Sequence, residues 1–114
     1  MALLVMAVPI PPGKLEQWRQ FTGELRGARS GDYRASRQRL GVRERAFLQS
    51  TPQGDLVIVT LEGDDPAAAL AASGAGQDEF TRWFVQQVKE IHGLDLTQPP
   101  PGPLPELVVD SAGG

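Results

Sequence analysis

One eight-residue run, DLVIVTLE at positions 55–62, constrains the fold of this chain more than any other stretch. Its β-branched side chains favour a strand, in which successive residues point to opposite faces. Both faces of this strand are apolar: one carries Leu56, Ile58 and Thr60, and the other carries Val57, Val59 and Leu61. A sheet built around this strand therefore has to be covered on both sides.

Two other segments upstream are also typical of strands. Residues 2–8, ALLVMAV, form a short apolar run that prolines follow. The segment RAFLQST at 45–51 precedes DLVIVTLE, and the turn TPQGD between them has proline and glycine where a tight turn favours them. We therefore predict a β-hairpin at 45–62.

Two helical regions separate these strands. Residues 14–29 repeat apolar side chains every three to four positions, and the pattern resumes at 32–40 and ends at Gly41. The second region begins at Asp65-Pro66, is interrupted at 74–76, and continues to Gly93. We expect one strongly amphipathic face on its last part, made by Phe80, Trp83, Phe84, Val88 and Ile91.

The chain order is thus strand, helix, strand, strand, helix, strand. This is the βαββαβ order of ferredoxin-like folds, so we predict an α+β protein with a four-stranded antiparallel sheet and two helical segments on one face. The last strand would be ELVVD at 106–110, which a Pro-rich connector at 97–105 would deliver. We expect a single domain over 1–114, with residues 111–114 as a flexible tail.

Two helical segments can shield only one face of such a sheet. Leaving several Val- or Leu-sized side chains of the other face in water forgoes roughly 1.5–3 kcal/mol each, and the resulting patch would exceed what monomers usually expose. A twofold copy of the same chain is the commonest cover. We therefore predict a homodimer packed through the open sheet face.

Composition and charge disfavour several classes of protein. The apolar start is too short for a membrane span and lacks a preceding basic residue, so neither a membrane partner nor a secretory signal is expected. The chain has no cysteine, which agrees with a cytoplasmic location. Residues 14–45 carry nine Lys/Arg and four Asp/Glu, but no aromatics interleave with them as stacking platforms and the net charge is -3, so nucleic acid is not an expected partner.

The segments SRQRLGVRERAFLQSTPQGDLVIVTLEGDDP at 36–66, IHGLDL at 91–96 and PPPGPLPE at 99–106 resemble a family of small bacterial proteins of unassigned activity. That family belongs to the dimeric α+β barrel superfamily. The resemblance implies a ferredoxin-like dimeric barrel with a small-molecule pocket between sheet and helices. The superfamily includes cofactor-independent antibiotic-biosynthesis monooxygenases, muconolactone-isomerase-like proteins, haem-degrading enzymes and dye-decolourising haem peroxidases.

His92 is the only histidine of the chain, and its position allows a structural and a functional interpretation. A histidine in the last turn of a helix is stabilised by the C-terminal carbonyls, and Gly93 directly after it is a usual helix terminator. Alternatively His92 is a general base whose ring is oriented by Asp95. A metal site is not expected, since zinc needs three or four protein ligands. No cofactor is expected. Haem is kept as an alternative, because it needs only one protein ligand.

Three other residues are candidates for substrate binding. Arg37 shares a helix side with Tyr33 and Leu40, and an inward guanidinium requires either a carboxylate such as Glu62 or an anionic ligand. The internal salt bridge is the favoured reading of Arg37. Trp83 is either core or a cavity wall that donates its indole N–H. Gln49 is either a pocket wall or part of the dimer interface.

Three hypotheses follow for function. A non-catalytic homodimer would have a narrow interior between sheet and helices. A cofactor-independent monooxygenase- or isomerase-like enzyme acting on a small aromatic or polyketide-like compound would have a cavity of at least ~300 Å³ with His92 exposed to it. A haem-binding protein would shift the Soret band of added hemin.

Overall fold

A computed structural model describes residues 1–113 and shows an α+β protein with four helices and a three-stranded antiparallel sheet. The strands are β1 (Ala2–Ile10), β2 (Val42–Thr51) and β3 (Gly54–Gly63). The helices are α1 (Leu15–Arg26), α2 (Ser30–Leu40), α3 (Pro66–Ala72) and α4 (Glu79–His92). No helix within residues 1–113 has the length and apolar character that crossing a membrane would require.

The sheet has the order β1-β3-β2, so the apolar run of the sequence lies in the central strand β3. The β2–β3 hairpin is confirmed, with Thr51 opposite Gly54 and only Pro52-Gln53 between the strands. Val57 of β3 lies opposite Val8 of β1 and Leu48 of β2. These three side chains therefore share the face on which the helices pack.

The predicted fourth strand is not seen. Residues 106–110 form no strand, and Leu107, Val108 and Val109 are 75–84% exposed. The segment in front of them contains five prolines between positions 99 and 105, which lack the N–H that a ladder needs. Residues 111–113 form a turn, and Gly114, the end of the predicted flexible tail, lies outside the described residues.

Each of the two predicted helical regions is divided into two helices. The first divides at residues 27–29, and the second at 73–78. The predicted helix ends at Gly41 and Gly93 are confirmed, since both glycines adopt the left-handed conformation with φ of 74° and 71°. Asp65 and Asp78 cap α3 and α4, because their carboxylates accept hydrogen bonds from the backbone N–H groups of Ala68 and Thr81.

The core lies between one sheet face and the helices. Ile91 is fully buried, and the same core cluster contains Phe84, whose ring centroid lies 5.3 Å from that of Phe21 and 5.9 Å from that of Phe80. The predicted apolar face of α4 is confirmed apart from Trp83, which is half-buried. The opposite sheet face has no helix over it, and Leu3 and Phe47 on that face are 59% and 53% exposed.

Candidate functional site

The interior between the sheet and the helices is narrow. A cavity of about 100 Å³ remains there, lined by side chains of the core and by Arg37, Glu44 and His92. Small-molecule sites in proteins usually occupy 300–1,000 Å³. The interior as folded therefore has room for a few atoms but not for an aromatic substrate.

Arg37 points into this interior, as its position on α2 predicted. Its Nε donates to the Glu44 carboxylate at 2.9 Å, and one terminal nitrogen donates to the Ser36 hydroxyl at 2.9 Å. The Tyr33 hydroxyl donates to the second Glu44 oxygen at 2.7 Å. Burial, followed by the negative charge of Glu44, raises the pKa of Tyr33 far above its ordinary value.

The carboxylate partner of Arg37 is thus Glu44 and not Glu62. Glu62 lies on the open sheet face, where it pairs with Arg45 at 3.4 Å. The guanidinium of Arg37 also lies 4.5 Å from the ring centroid of Phe84 and 5.0 Å from that of Tyr33. Arg37 is therefore neutralised within the protein, which corresponds to the favoured salt-bridge reading.

A larger space lies at the free edge of β1, and we call it the edge groove. Its volume is about 710 Å³, and its walls come from three parts of the chain: Leu4 and Met6–Pro9 of β1, Ala67, Leu70 and Ala71 of α3, and residues 92–105, which run from the end of α4 through the connector. The walls are mainly leucine, alanine and proline side chains. Among the described residues, its lining includes one histidine and one aspartate but no arginine or lysine.

His92 contributes to both spaces. Its ring is half-buried, and its Nδ1 lies 2.9 Å from the carbonyl oxygen of Pro9. A carbonyl only accepts, so Nδ1 carries the hydrogen and Nε2 of the neutral ring is left with a free lone pair. Burial lowers the pKa of His92 below its ordinary value, although the Pro9 carbonyl acts in the opposite direction.

Asp95, the predicted orienting group, has a different partner. Its carboxylate accepts hydrogen bonds from the backbone N–H and the hydroxyl of Thr97, at 2.9 and 2.6 Å. These bonds lower the pKa of Asp95. Asp95 lines the edge groove beside His92, but the group that orients the imidazole is the backbone carbonyl of Pro9.

The predicted substrate-binding residues are not brought together. Arg37 lies inside the domain, whereas Gln49 is exposed on the opposite face of the sheet. Trp83 lies among aromatic side chains, with the Arg29 guanidinium 4.1 Å from its ring centroid. Neither Gln49 nor Trp83 lines the narrow interior or the edge groove.

The sequence reasoning missed two contributors to the site. Pro9 is 83 residues away from His92, and only the folded chain reveals its carbonyl as the partner of the ring. The proline-rich connector was expected to be only a spacer, yet it forms one wall of the edge groove. Within residues 1–113 no three histidine, cysteine, aspartate or glutamate side chains are grouped as a metal site requires.

No protein-family model matches the chain, and the chain has no significant match among curated protein sequences or solved structures.

Proposed function

We propose that this protein is a homodimeric α+β protein that binds a small, neutral, largely apolar molecule in the edge groove. The observation that carries the proposal is the free Nε2 lone pair of His92 on the wall of a groove of about 710 Å³. Binding sites are typically apolar cavities of this size with a few placed polar groups. His92 supplies that polar group here.

The lining defines the class of ligand. No cation of the described residues faces the groove, so an anionic ligand would lose its hydration without gaining a partner. A neutral imidazole accepts a hydrogen bond at Nε2, and the natural donor from a ligand is a hydroxyl group. We infer a preference for small aromatic or alicyclic alcohols and phenols over the same ring systems without a hydroxyl.

A matched pair of probes tests this preference. We expect 1-naphthol to bind more tightly than naphthalene, by roughly 2- to 12-fold, which is the usual contribution of one hydrogen bond. The preference should be largest near neutral pH and weaken as the pH falls through the lowered pKa of His92, because the protonated ring no longer accepts from the acidic hydroxyl and offers only an N–H to its weakly basic oxygen. Calorimetric titration at several pH values measures both effects.

Two variants locate the effect. His92→Asn retains an amide N–H that can donate to the Pro9 carbonyl, and its shorter side chain places no atom at the position of Nε2, so it should bind both probes equally. Asp95→Asn, on the same wall, should retain the preference. If the wild-type protein binds neither probe, or if His92→Asn still distinguishes them, the edge groove is not the binding site proposed here.

The homodimer completes the proposal. The open sheet face carries Leu3 and Phe47, which are 59% and 53% exposed, beside the half-buried side chains of Val5, Leu56 and Ile58. Exposed apolar patches of this kind typically mark association sites, and a twofold copy presents the same patch to itself. With a second copy on this face, the protein would have the ferredoxin-like dimeric barrel arrangement that its sequence resembles.

A second candidate function is a cofactor-independent enzyme, and the tautomer of His92 favours it. A neutral imidazole with Nε2 free can remove a proton from a bound compound. An isomerase-like reaction balances without a co-reactant, because the same proton returns at another carbon; a monooxygenase-like reaction would need dioxygen as oxidant. Proton exchange of an enolisable ketone with deuterated water tests it, since His92 would accelerate the exchange and His92→Asn would not.

Haem fits the edge groove poorly. The Nε2 atom of His92 is a suitable axial ligand in chemical type. However, the two propionates of haem are anionic, and no arginine or lysine within residues 1–113 lines the groove to pair with them. The residues present therefore favour a neutral ligand over haem.

A further inference from the structure

The C-terminal segment Glu106–Asp110, ELVVD, is unusual for an exposed stretch, and we call it the C-terminal arm. Leu107, Val108 and Val109 are exposed by 75%, 84% and 80%, so three consecutive large apolar side chains stand in water. Their residue types favour a strand, although the arm forms none here. An apolar, strand-forming segment without a partner is typical of a chain that pairs with another molecule.

The arm does not pair with β1 of its own chain, and the course of the connector explains why. Residues 92–105 line the edge groove together with Leu4 and Met6–Pro9, so the connector and not the arm lies beside the free edge of β1. Pro9 has no N–H, and its carbonyl is engaged by His92. The edge of β1 is therefore partly blocked before the arm begins.

The outer edge of β2 is the other free edge of the sheet. β2 pairs only with β3, and Ala46, Phe47 and Gln49 near its middle are exposed. Arg43 and Arg45 precede them, whereas Glu106 and Asp110 stand at the two ends of the arm. Neither acidic residue forms an ion pair within residues 1–113, so the charges of the arm and of this edge are complementary and the arm's are uncompensated.

We propose that the C-terminal arm of one copy adds to the free edge of β2 of the second copy as an antiparallel fourth strand, with Val109 opposite Ala46. This inference rests on the proposed homodimer and adds the element that links its subunits. The alternation of a strand then places Val108 beside Phe47 on the open face and Asp110 beside Arg45. In this register Pro105, which has no N–H, lies opposite Ser50, next to the last residue of β2.

The proposed pairing also completes the interior of the partner. Ala46 lies on the helix-facing side of β2, lines the cavity of about 100 Å³ and is itself exposed. Leu107 and Val109 of the arm would lie on that same side, next to Leu48 and Ala46. The arm would thereby close the side of the core that β2 leaves open.

Because the chain contains no cysteine, a disulfide scan tests this pairing without background. Directly opposite residues in an antiparallel ladder have Cα atoms about 4.5–5.5 Å apart, within the range that a disulfide bridges. We expect co-expressed Ala46→Cys and Val109→Cys chains to form a covalent dimer under mild oxidation, seen on a non-reducing gel. Each variant alone should remain largely monomeric on that gel.

Ala7→Cys is the matched control, since Ala7 is an exposed alanine on the other edge strand. Val109→Cys with Ala7→Cys should give no covalent dimer beyond what Ala7→Cys gives alone, because position 7 lies on the open face where two copies would meet. The arm proposal would be overturned if Val109→Cys cross-linked to position 7 but not to position 46. It would also be overturned if Val109→Cys cross-linked to neither position in a protein that sediments as a dimer; the proposed dimer would stand in both cases. A monomeric mass would overturn both, while ligand binding in the edge groove is measured separately.

Discussion

Arg37 and Glu44 illustrate how burial sets the importance of an ion pair. Their side chains are 9% and 13% exposed, whereas those of Arg45 and Glu62 in a second pair are 43% and 37% exposed. Water screens the second pair, so its net contribution to stability is small. The first pair has lost its water, and each of its members depends on the other.

The two pairs allow a matched prediction. We expect Glu44→Gln to lower the free energy of unfolding by about 3 kcal/mol, because it leaves the guanidinium of Arg37 buried without a counter-charge. Glu62→Gln removes the same charge from the exposed pair and should cost at most about 1 kcal/mol. Urea denaturation of both variants measures the difference, and equal losses would show that the burial of the first pair is energetically unimportant.

The sequence predicts the direction of Arg37 but not its partner. The shared helix side of Tyr33, Arg37 and Leu40 indicated an inward guanidinium, since helix periodicity is a local property. The choice between Glu44 and Glu62 depends on which face of the sheet each carboxylate occupies, and β2 begins three residues earlier than its pattern indicated. The same holds for His92. Its position at a helix end follows from the neighbouring sequence, whereas its contact with Pro9, 83 residues away, depends on the tertiary fold.

At the scale of elements, Gly74 lies in the loop between α3 and α4 and packs against the segment that follows α4. The sequence marks this glycine as a helix interruption, and the structure adds a close approach. A Cβ at this position would meet the carbonyl of Leu96, which lies in the wall of the edge groove. Only a residue without a side chain fits there.

Replacing Gly74 by alanine should therefore lower the stability of the protein, whereas replacing a glycine within a helix by alanine should raise it. We expect Gly74→Ala to destabilise the protein by about 1–3 kcal/mol, because the backbone at Leu96 has to move. Gly23→Ala, inside α1 where a Cβ meets nothing within 4 Å, should stabilise it by about 0.5–1 kcal/mol. Thermal unfolding distinguishes the two, and a neutral Gly74→Ala would mean that the loop yields freely.

Periodicity predicts elements better than it predicts their pairing. The hairpin and the helix ends follow from short-range turn and capping chemistry, and they are confirmed. Residues 106–110 have an equally strand-like composition, but a strand exists only when it has a neighbour. The sequence of one chain does not state which edge that neighbour is, so the fourth strand was predicted from pattern alone and is not seen.

At the scale of the whole molecule, the helices pack on only one of the two faces of the sheet. Val57, Val59 and Leu61 lie on the face that packs against the helices, whereas Leu56 and Ile58 lie on the other face and are half-buried. The polar side chains Arg43, Arg45, Thr60 and Glu62 lie together at one end of this face, as at the rim of an association surface. Ile58, in the central strand, is the natural position at which to test association.

We expect Ile58→Glu to weaken dimerisation by roughly thirtyfold or more, which corresponds to the loss of one interface hot spot. The reason is that the new carboxylate would have to be buried against the apolar face of the second copy. Sedimentation equilibrium measures the change in Kd, and circular dichroism checks that the fold is retained. Gln20→Glu, on the exposed surface of α1, adds the same negative charge away from this face and should leave the Kd unaltered. If Ile58→Glu associates as tightly as the wild type, the subunits do not meet through the open face; a wild-type protein that sediments as a monomer would refute the dimer itself.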